Sequence, residues 1–408
     1  MIEGEFYKSK YDLKELELNS LLEITQAINN NMPEESLYKI YDFTIRPNLN
    51  IKKLALFVLD DKWECKVNFG TSTDFHHCQF ETSFLKYNKI QPLLAENGSP
   101  FSEFQTIIPI AHKDKKLAFV FVSGYDDSSN EQVNTNFIQA LSNIIIVAIE
   151  NKKLARKQIE QEMIRKELEI AGNIQQFLFP KKLPNEPGLR ASAFYRPHHT
   201  IGGDYYDFIE IAENQFLFCI ADVSGKGIPA ALLMSNFQAS LRTLTRQTTL
   251  LQEIVTELNY QVMYNAEGQH FITFFVAMYE KNNLRLKYVN CGHNPPVLIR
   301  NGQETEFLND GTTVLGVFKE LPFLNVGVIE PISKFSICAF TDGLTEIANA
   351  RGEEFGQEAL SRVIGEYKKD SPEKLNEMVV AAMEKYKGNT SYIDDITLFT
   401  CKVDVEQL

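Results

Sequence analysis

Ile201-Gly202-Gly203-Asp204-Tyr205-Tyr206-Asp207 and Ile220-Ala221-Asp222-Val223-Ser224-Gly225-Lys226-Gly227 are the two stretches on which the fold of this chain turns. Each sets a carboxylate close to glycine, and the apolar run Phe216 to Ala221 ahead of Asp222 reads as a buried strand. Two further aspartate sites share that setting. Asp342 follows Phe335-Ser336-Ile337-Cys338-Ala339-Phe340-Thr341, and Asp394-Asp395 precede Ile396-Thr397-Leu398-Phe399. One aspartate and glycine at a strand end are most often a turn, because glycine takes positive φ and Asp bonds its own backbone. Acids halted at strand ends in four distant parts of one chain supply something more, the charged oxygen ligands that Mg²⁺ and Mn²⁺ require. The pattern predicts a metal-dependent hydrolase.

Five segments stand in one order: Gly202-Gly203-Asp204-Tyr205-Tyr206-Asp207, Asp222-Val223-Ser224-Gly225-Lys226-Gly227, Asn290-Cys291-Gly292-His293-Asn294-Pro295-Pro296, Thr341-Asp342-Gly343-Leu344-Thr345-Glu346 and Asp394-Asp395-Ile396-Thr397. The series closely resembles the PPM superfamily of metal-dependent protein phosphatases, in its bacterial SpoIIE-type, RsbU-like branch, over roughly residues 165 to 405. The resemblance implies that Asp222 bridges two Mn²⁺ or Mg²⁺ ions and that the Val223 carbonyl serves one of them. It implies that Asp342 and Asp394 serve the other, and that Asp204 holds the metals directly or through water. Asp207 and Asp395 fit the motifs as ligands or as acceptors that orient metal-bound water. The chain departs from the pattern at Arg196-Pro197-His198-His199-Thr200, where relatives tend to carry a small residue and an acid after the proline.

The expected activity is hydrolysis of phosphoserine or phosphothreonine on a protein, and the expected substrate class is a STAS-domain anti-sigma-factor antagonist in partner-switching signalling. Two alternatives stay open: a two-metal phosphoesterase acting on another substrate, or a catalytically degenerate, dimeric sensing scaffold. Two metal ions would allow water to attack phosphorus in line without a protein nucleophile. Ser224 has no His or Lys at a recognisable base spacing and reads as a turn residue. Lys226 sits in Gly-Lys-Gly, without the Ser/Thr and spacing of a Walker A loop. His293 reads as a turn residue fixed by hydrogen bonds. The adjacent His198 and His199 would face opposite sides of a strand, which suits no single zinc ion. His76-His77-Cys78 has no partner at zinc spacing and reads as a surface loop.

A chain of 408 residues suits two domains and a connector. The formal charge of −13 opposes nonspecific binding to nucleic acid or to an anionic membrane. Apolar runs such as Ile144 to Ile149 fall far short of the ~20 residues of a membrane span. The N-terminal residues lack the basic and apolar regions of a signal peptide. Six cysteines without a C-x-x-C pair, two of them (Cys219 and Cys338) inside apolar runs, read as reduced. A cytoplasmic protein is expected, with no cofactor besides the metals.

The expected fold class is α+β throughout. Residues 1–150 form a GAF-like sensory domain, 151–180 a connector helix and coiled coil, and 181–408 an α-β-β-α sandwich of the PPM type. The front domain reads as helices over 12–30, with Leu13 opening the apolar series, and over 34–46. Strands are expected at 55–59, 104–111 and 117–122, the last two joined by a turn that includes Asp114. From about Asn134 to Leu178 there is no proline and no glycine before Gly172. Ile145, Ala148, Ala155 and Ile159, then Ile164, Leu168, Ala171 and Leu178 in shifted phase, predict a seam and a parallel homodimer. Gly172 is the expected yielding point. Phe271 to Tyr279 and Leu284 to Asn290 predict a hairpin, and 229–247, 248–265, 355–367 and 372–386 predict helices.

Overall fold

A computed structural model describes residues 2–48, 51–95, 98–113, 115–124 and 131–407. Asp114 and the side chain of Leu13 lie outside the described residues. The chain divides into two compact units, Met1–Glu162 and Met163–Leu408.

In the first unit, α1 (Ile2–Asn29) and α2 (Glu34–Asn48) are followed by β1 (Lys53–Leu59), β2 (Trp63–Phe69), β3 (Gln91–Pro92), β4 (Thr106–His112) and β5 (Lys115–Ser123). Glu34 and Glu35 open α2, where negative charge complements the helix dipole. The strands form one antiparallel sheet in the order β2-β1-β5-β4-β3. Strand alternation gives this sheet two buried faces. Leu54, Leu56, Val120 and Val122 pack with Tyr41 and Ile45 of α2 and with Ile138, Leu141 and Ile145 of the long helix α3 (Glu131–Gln176). Ala55, Phe57, Phe119 and Phe121 face the other way, onto Phe75, Phe84, Phe101 and Phe104 from the intervening turns. Tyr41 Oη and Ser142 Oγ, 2.8 Å apart, tie α2 to α3 inside the first core.

Helix α3 is unbroken over 46 residues and passes through Gly172 without interruption. Ile145, the expected start of the seam, is fully buried in the first unit's core and has no surface to offer a partner. Ile146 and Ile149 are buried with it, and further along Leu154, Ile159, Met163, Ile164, Ile170 and Ile174 are each more than half exposed.

The second unit contains β6 (Asn185–Glu186), β7 (Leu189–Arg196), β8 (Tyr205–Ala212), β9 (Gln215–Val223), α4 (Ile228–Leu244), α5 (Leu251–Ala266), β10 (Ile272–Glu280) and β11 (Arg285–Cys291). It continues with β12 (Val297–Arg300), β13 (Glu304–Phe307), β14 (Gly311–Thr312), β15 (Gly327–Ile329), β16 (Lys334–Phe340), α6 (Asp342–Thr345), α7 (Gly356–Tyr367), α8 (Pro372–Lys387) and β17 (Ile396–Asp404). One sheet runs β14-β11-β10-β9-β8, with β15 also on β11, and the other runs β13-β12-β16-β17-β7-β6. Their inner faces meet in a core of Phe218, Ile220, Phe275 and Tyr279 against Phe335, Ile337, Phe399 and Cys401. On the outer faces, Leu217, Cys219 and Val276 pack under Met234, Phe237 and Leu241 of α4 and Ile254 and Leu258 of α5. Cys338, Phe340 and Leu398 pack under Ile364 of α7 and Val379 and Met383 of α8. Each such large apolar side chain contributes roughly 1.5–3 kcal/mol on burial. The result is the expected α-β-β-α sandwich. All six cysteines are free, five of them buried.

Candidate active site

The sandwich brings four strand ends to one end of its two sheets. Antiparallel pairing puts the start of β8 beside the end of β9, and the end of β16 beside the start of β17. Asp204 immediately precedes β8, Asp222 is the penultimate residue of β9, Asp342 opens α6 after β16, and Asp394 and Asp395 precede β17.

Asp204 joins the two sheets. It is fully buried, and its Oδ2 accepts from Thr341 Oγ1 at 2.8 Å and Thr397 Oγ1 at 2.6 Å, both on the opposite sheet's strand ends. Burial, then the neighbouring Asp222 and Asp395, hold its carboxyl far above the usual carboxylate range. Asp222, within hydrogen-bonding reach of Asp204, is pushed up to about 7 by burial first and by Asp342 and Asp394 next. Asp342 is raised by burial and then by Asp394. Such mutual repulsion is what carboxylates experience when a fold crowds them into one poorly solvated place.

Asp395 organises the backbone around them. Its Oδ2 accepts from Gly203 N at 2.6 Å and its Oδ1 from His198 N at 2.7 Å. A Cβ on Gly202 would come within 2.5 Å of both Asp395 Oδ2 and Tyr195 Oη, so only glycine lets this loop close. The Gly202 backbone is held from both sides by Gln175, in the last turns of α3: Nε2 donates to Gly202 O at 2.7 Å, and Oε1 accepts from Gly202 N at 3.2 Å. Gly172 lies one turn earlier, where a Cβ would stand 2.6 Å from the Thr200 carbonyl. It is a close-contact position inside a continuous helix, not a yielding point.

The segment leading to Asp394 is clamped. The Arg196 guanidinium lies 4.1 Å from the Tyr392 ring centroid and donates to its Oη at 2.8 Å, while Lys387 Nζ donates to Thr390 O at 2.6 Å. Asp394 Oδ2 is paired with Lys226 Nζ at 2.7 Å.

The remaining motif residues are placed differently. Asp207, fully buried, takes Arg242 of α4 in a two-bond pair, Oδ2 to Nε at 2.7 Å and Oδ1 to Nη2 at 2.8 Å, and also accepts from Tyr205 Oη. It therefore serves as an anchor for α4. Ser224 Oγ accepts from Phe271 N at 2.8 Å, and Ser224 N donates back to Phe271 O at 2.9 Å, as suits a turn residue. His293 is buried, with Nδ1 2.8 Å from Thr273 Oγ1 and its amide donating to Asn290 Oδ1. Burial pushes its pKa down to about 4, so the ring is neutral. The Phe340 carbonyl opposes that shift, yet among the described residues no partner of hydrogen-bonding geometry reaches Nε2. The rings of His198 and His199 lie 4.1 Å apart on the same loop. His77 is exposed beside Asp74, at the end of a short 3₁₀ turn.

Thr341 and Thr397, the donors to Asp204, lie inside the quoted motifs, and their proximity to Asp342 and Asp395 is a usable signal. Gln175 and Arg242 act across long stretches of chain, and no local pattern marks them. Among the described residues no three carboxylate, imidazole or thiol groups converge on one point at coordinating distance. The acids instead stand close enough to raise one another, with Asp204 held by two threonines and Asp394 by a lysine. The donor set still fits hard divalent cations: every group is oxygen, and the repulsion that raises Asp222 and Asp204 is relieved by positive charge.

The layered α-β-β-α sandwich has the PP2C-type fold. The profile of the Stage II sporulation protein E (SpoIIE) family matches residues 212–404. Phosphoserine phosphatase RsbU of Bacillus subtilis (strain 168) is 30% identical over 244 residues, covering 59% of this chain and 71% of RsbU. Phosphoserine phosphatase RsbP of the same organism is 27% identical over 164 residues, covering 39% of this chain and 40% of RsbP. The SiaA-PP2C domain of Pseudomonas aeruginosa superposes with a TM-score of 0.54 at 18% identity, over 60% of this chain and 99% of that domain, which shows the fold. The chain belongs to the SpoIIE family of phosphatases.

Proposed function

We propose that the chain is a Mn²⁺- or Mg²⁺-dependent phosphatase that removes phosphate from phosphoserine or phosphothreonine of a partner protein. The observation that carries this is that Asp204, Asp222, Asp342 and Asp394, brought from four strand ends to one end of the sandwich, lie close enough to oppose one another's charge. Asp222 would touch both ions, the Val223 carbonyl one of them, and Asp342 and Asp394 the other, with Asp204 serving them directly or through water. When bound, two such ions supply the charge that offsets a phosphoryl dianion and acidifies water for attack. The chain's own residues set the geometry: Thr341 and Thr397 fix Asp204, and Asp395 fixes the Gly203 and His198 amides. The substrate class we favour is a STAS-domain anti-sigma-factor antagonist in partner-switching signalling, supported by the motif series and by relatives named as phosphoserine phosphatases. Incubation with Mn²⁺ and a phosphoserine protein, a phosphotyrosine peptide, or DNA and RNA tests the substrate class. Phosphate release from the first alone is expected, and nucleic-acid cleavage would favour a two-metal phosphoesterase acting on another substrate.

The first unit is proposed as a GAF-like sensor and α3 as the coiled-coil connector of a cytoplasmic homodimer. Among the described residues no helix is long and apolar enough to cross a membrane. Dimerisation is supported by the exposed apolar residues of α3 from Leu154 to Ile174. It is also supported by a groove of about 400 Å³ lined by Ile164, Leu168, Ile174, Ile201, Ile228 and Leu232. Control of the site would pass through Gln175, which grips the loop carrying Asp204, and through α4, which follows the Asp222 turn. Breaking α3 with Ile164→Pro, or removing residues 1–150, is expected to change kcat or apparent Mn²⁺ affinity several-fold. Kinetics across a Mn²⁺ titration check this, and unchanged values in both variants would confine the front of the chain to localisation.

A further inference from the structure

Lys226 lies in the Asp222 motif and matches no nucleotide-binding loop. Its Nζ is 2.7 Å from Asp394 Oδ2 and also donates to the Ile393 carbonyl. Its charge reaches further into the site. Burial and neighbouring acids raise Asp342 and Glu346, and the Lys226 ammonium partly offsets both. The side chain is 45% exposed, so it stands at the rim of the cleft with solvent on one side. Gly225 and Gly227 flank it at φ +92° and +74°, a backbone region that side-chain-bearing residues rarely adopt. Nothing lies within 4 Å of where a Gly227 Cβ would stand, so that side of the loop is open.

This arrangement places a monovalent cation on a carboxylate that, on the metal-dependent reading above, must serve a divalent one. An oxygen already accepting from an ammonium at 2.7 Å cannot give a metal its full charge, and two cations on one carboxylate repel. We propose that Lys226 and the metal compete for Asp394: ion binding drives the ammonium off Oδ2 into solvent, and the lysine thereby sets the metal concentration at which the site assembles. The inference rests on the metal-dependent reading. A half-exposed pair of this kind is weak, so the barrier it places before the metal is low and graded.

Two measurements on the full chain test it. In calorimetric Mn²⁺ titrations, Lys226→Gln is expected to bind about two- to fivefold more tightly than wild type, the range of an exposed ion pair. Lys226→Arg, which keeps the charge, should stay close to wild type. In parallel, brief acetylation with an amine-reactive ester, read by mass spectrometry, should show Lys226 becoming more reactive over the same Mn²⁺ range, relative to distant lysines. A lysine with a purely structural role would not respond in that way. Lys226 reactivity that is unchanged or reduced by Mn²⁺, or Lys226→Gln binding no tighter than wild type, overturns the proposal. Wild-type protein that takes up no Mn²⁺ overturns the metal-dependent reading itself, and the same titration shows it separately.

Discussion

Asp222→Asn is expected to lower phosphatase activity more than about 100-fold while leaving the chain folded, since even outer partners of a metal are worth 10- to 100-fold. The substitution keeps the size of the side chain and much of its hydrogen bonding but removes the charge that would face both ions. Because burial and Asp342 and Asp394 already oppose that charge, the neutral amide relieves repulsion. Thermal stability measured in EDTA should therefore hold or rise. Ser224→Ala is the informative partner. Its Oγ only accepts from Phe271 N, so its loss should cost about 1 kcal/mol of stability and leave most of the activity. Equal inactivation of the two variants would argue for a serine nucleophile and against direct attack by water.

Arg242→Met is expected to act on stability instead of chemistry. Asp207 is fully buried, and Arg242 is its one cationic partner among the described residues and supplies two of its hydrogen bonds. Removing one partner of a buried pair typically costs 3–5 kcal/mol, and the 42% exposure of the Arg242 side chain lowers the figure here to about 3 kcal/mol. For a unit of this size that is a drop of roughly 6–12 °C in Tm. Differential scanning calorimetry checks it. A shift under ~2 °C would mean that the pair does not hold α4 to the sheet.

Much of the sandwich was legible because its central strands are nearly continuous apolar runs, several of them bounded by glycine or aspartate. Phe216, Phe218 and Ile220 turn inward while Leu217, Cys219 and Ala221 turn toward α4. The crowding of the acids follows from the same pattern, since antiparallel neighbours bring strand ends together. Partners fixed by tertiary contact were not legible. Gln175 reaches a loop 27 residues away, and Arg242 an aspartate 35 residues away, with no periodicity to mark either. The front unit shows both outcomes. Its sheet faces follow from alternation, yet β2 escapes the sequence expectation even though Cys65, Val67 and Phe69 alternate as buried positions. Lys66 and Asn68 between them break the apolar run that marks the other strands. Ile145 fits a heptad by spacing, but the adjacent sheet claims it as core. Spacing alone cannot distinguish a helix face that packs on its own domain from one that awaits a second chain.

The central claim is tested most directly by titrating Mn²⁺ into EDTA-stripped full-length chain and following phosphate release from a phosphoserine protein at pH 6 and pH 8. The account predicts no release without the ion and saturation as Mn²⁺ rises. The apparent affinity should be higher at pH 8: Asp222, pushed up to about 7, keeps its proton at the lower pH, and that proton competes with the metal. Phosphate release that continues undiminished in excess EDTA would contradict it.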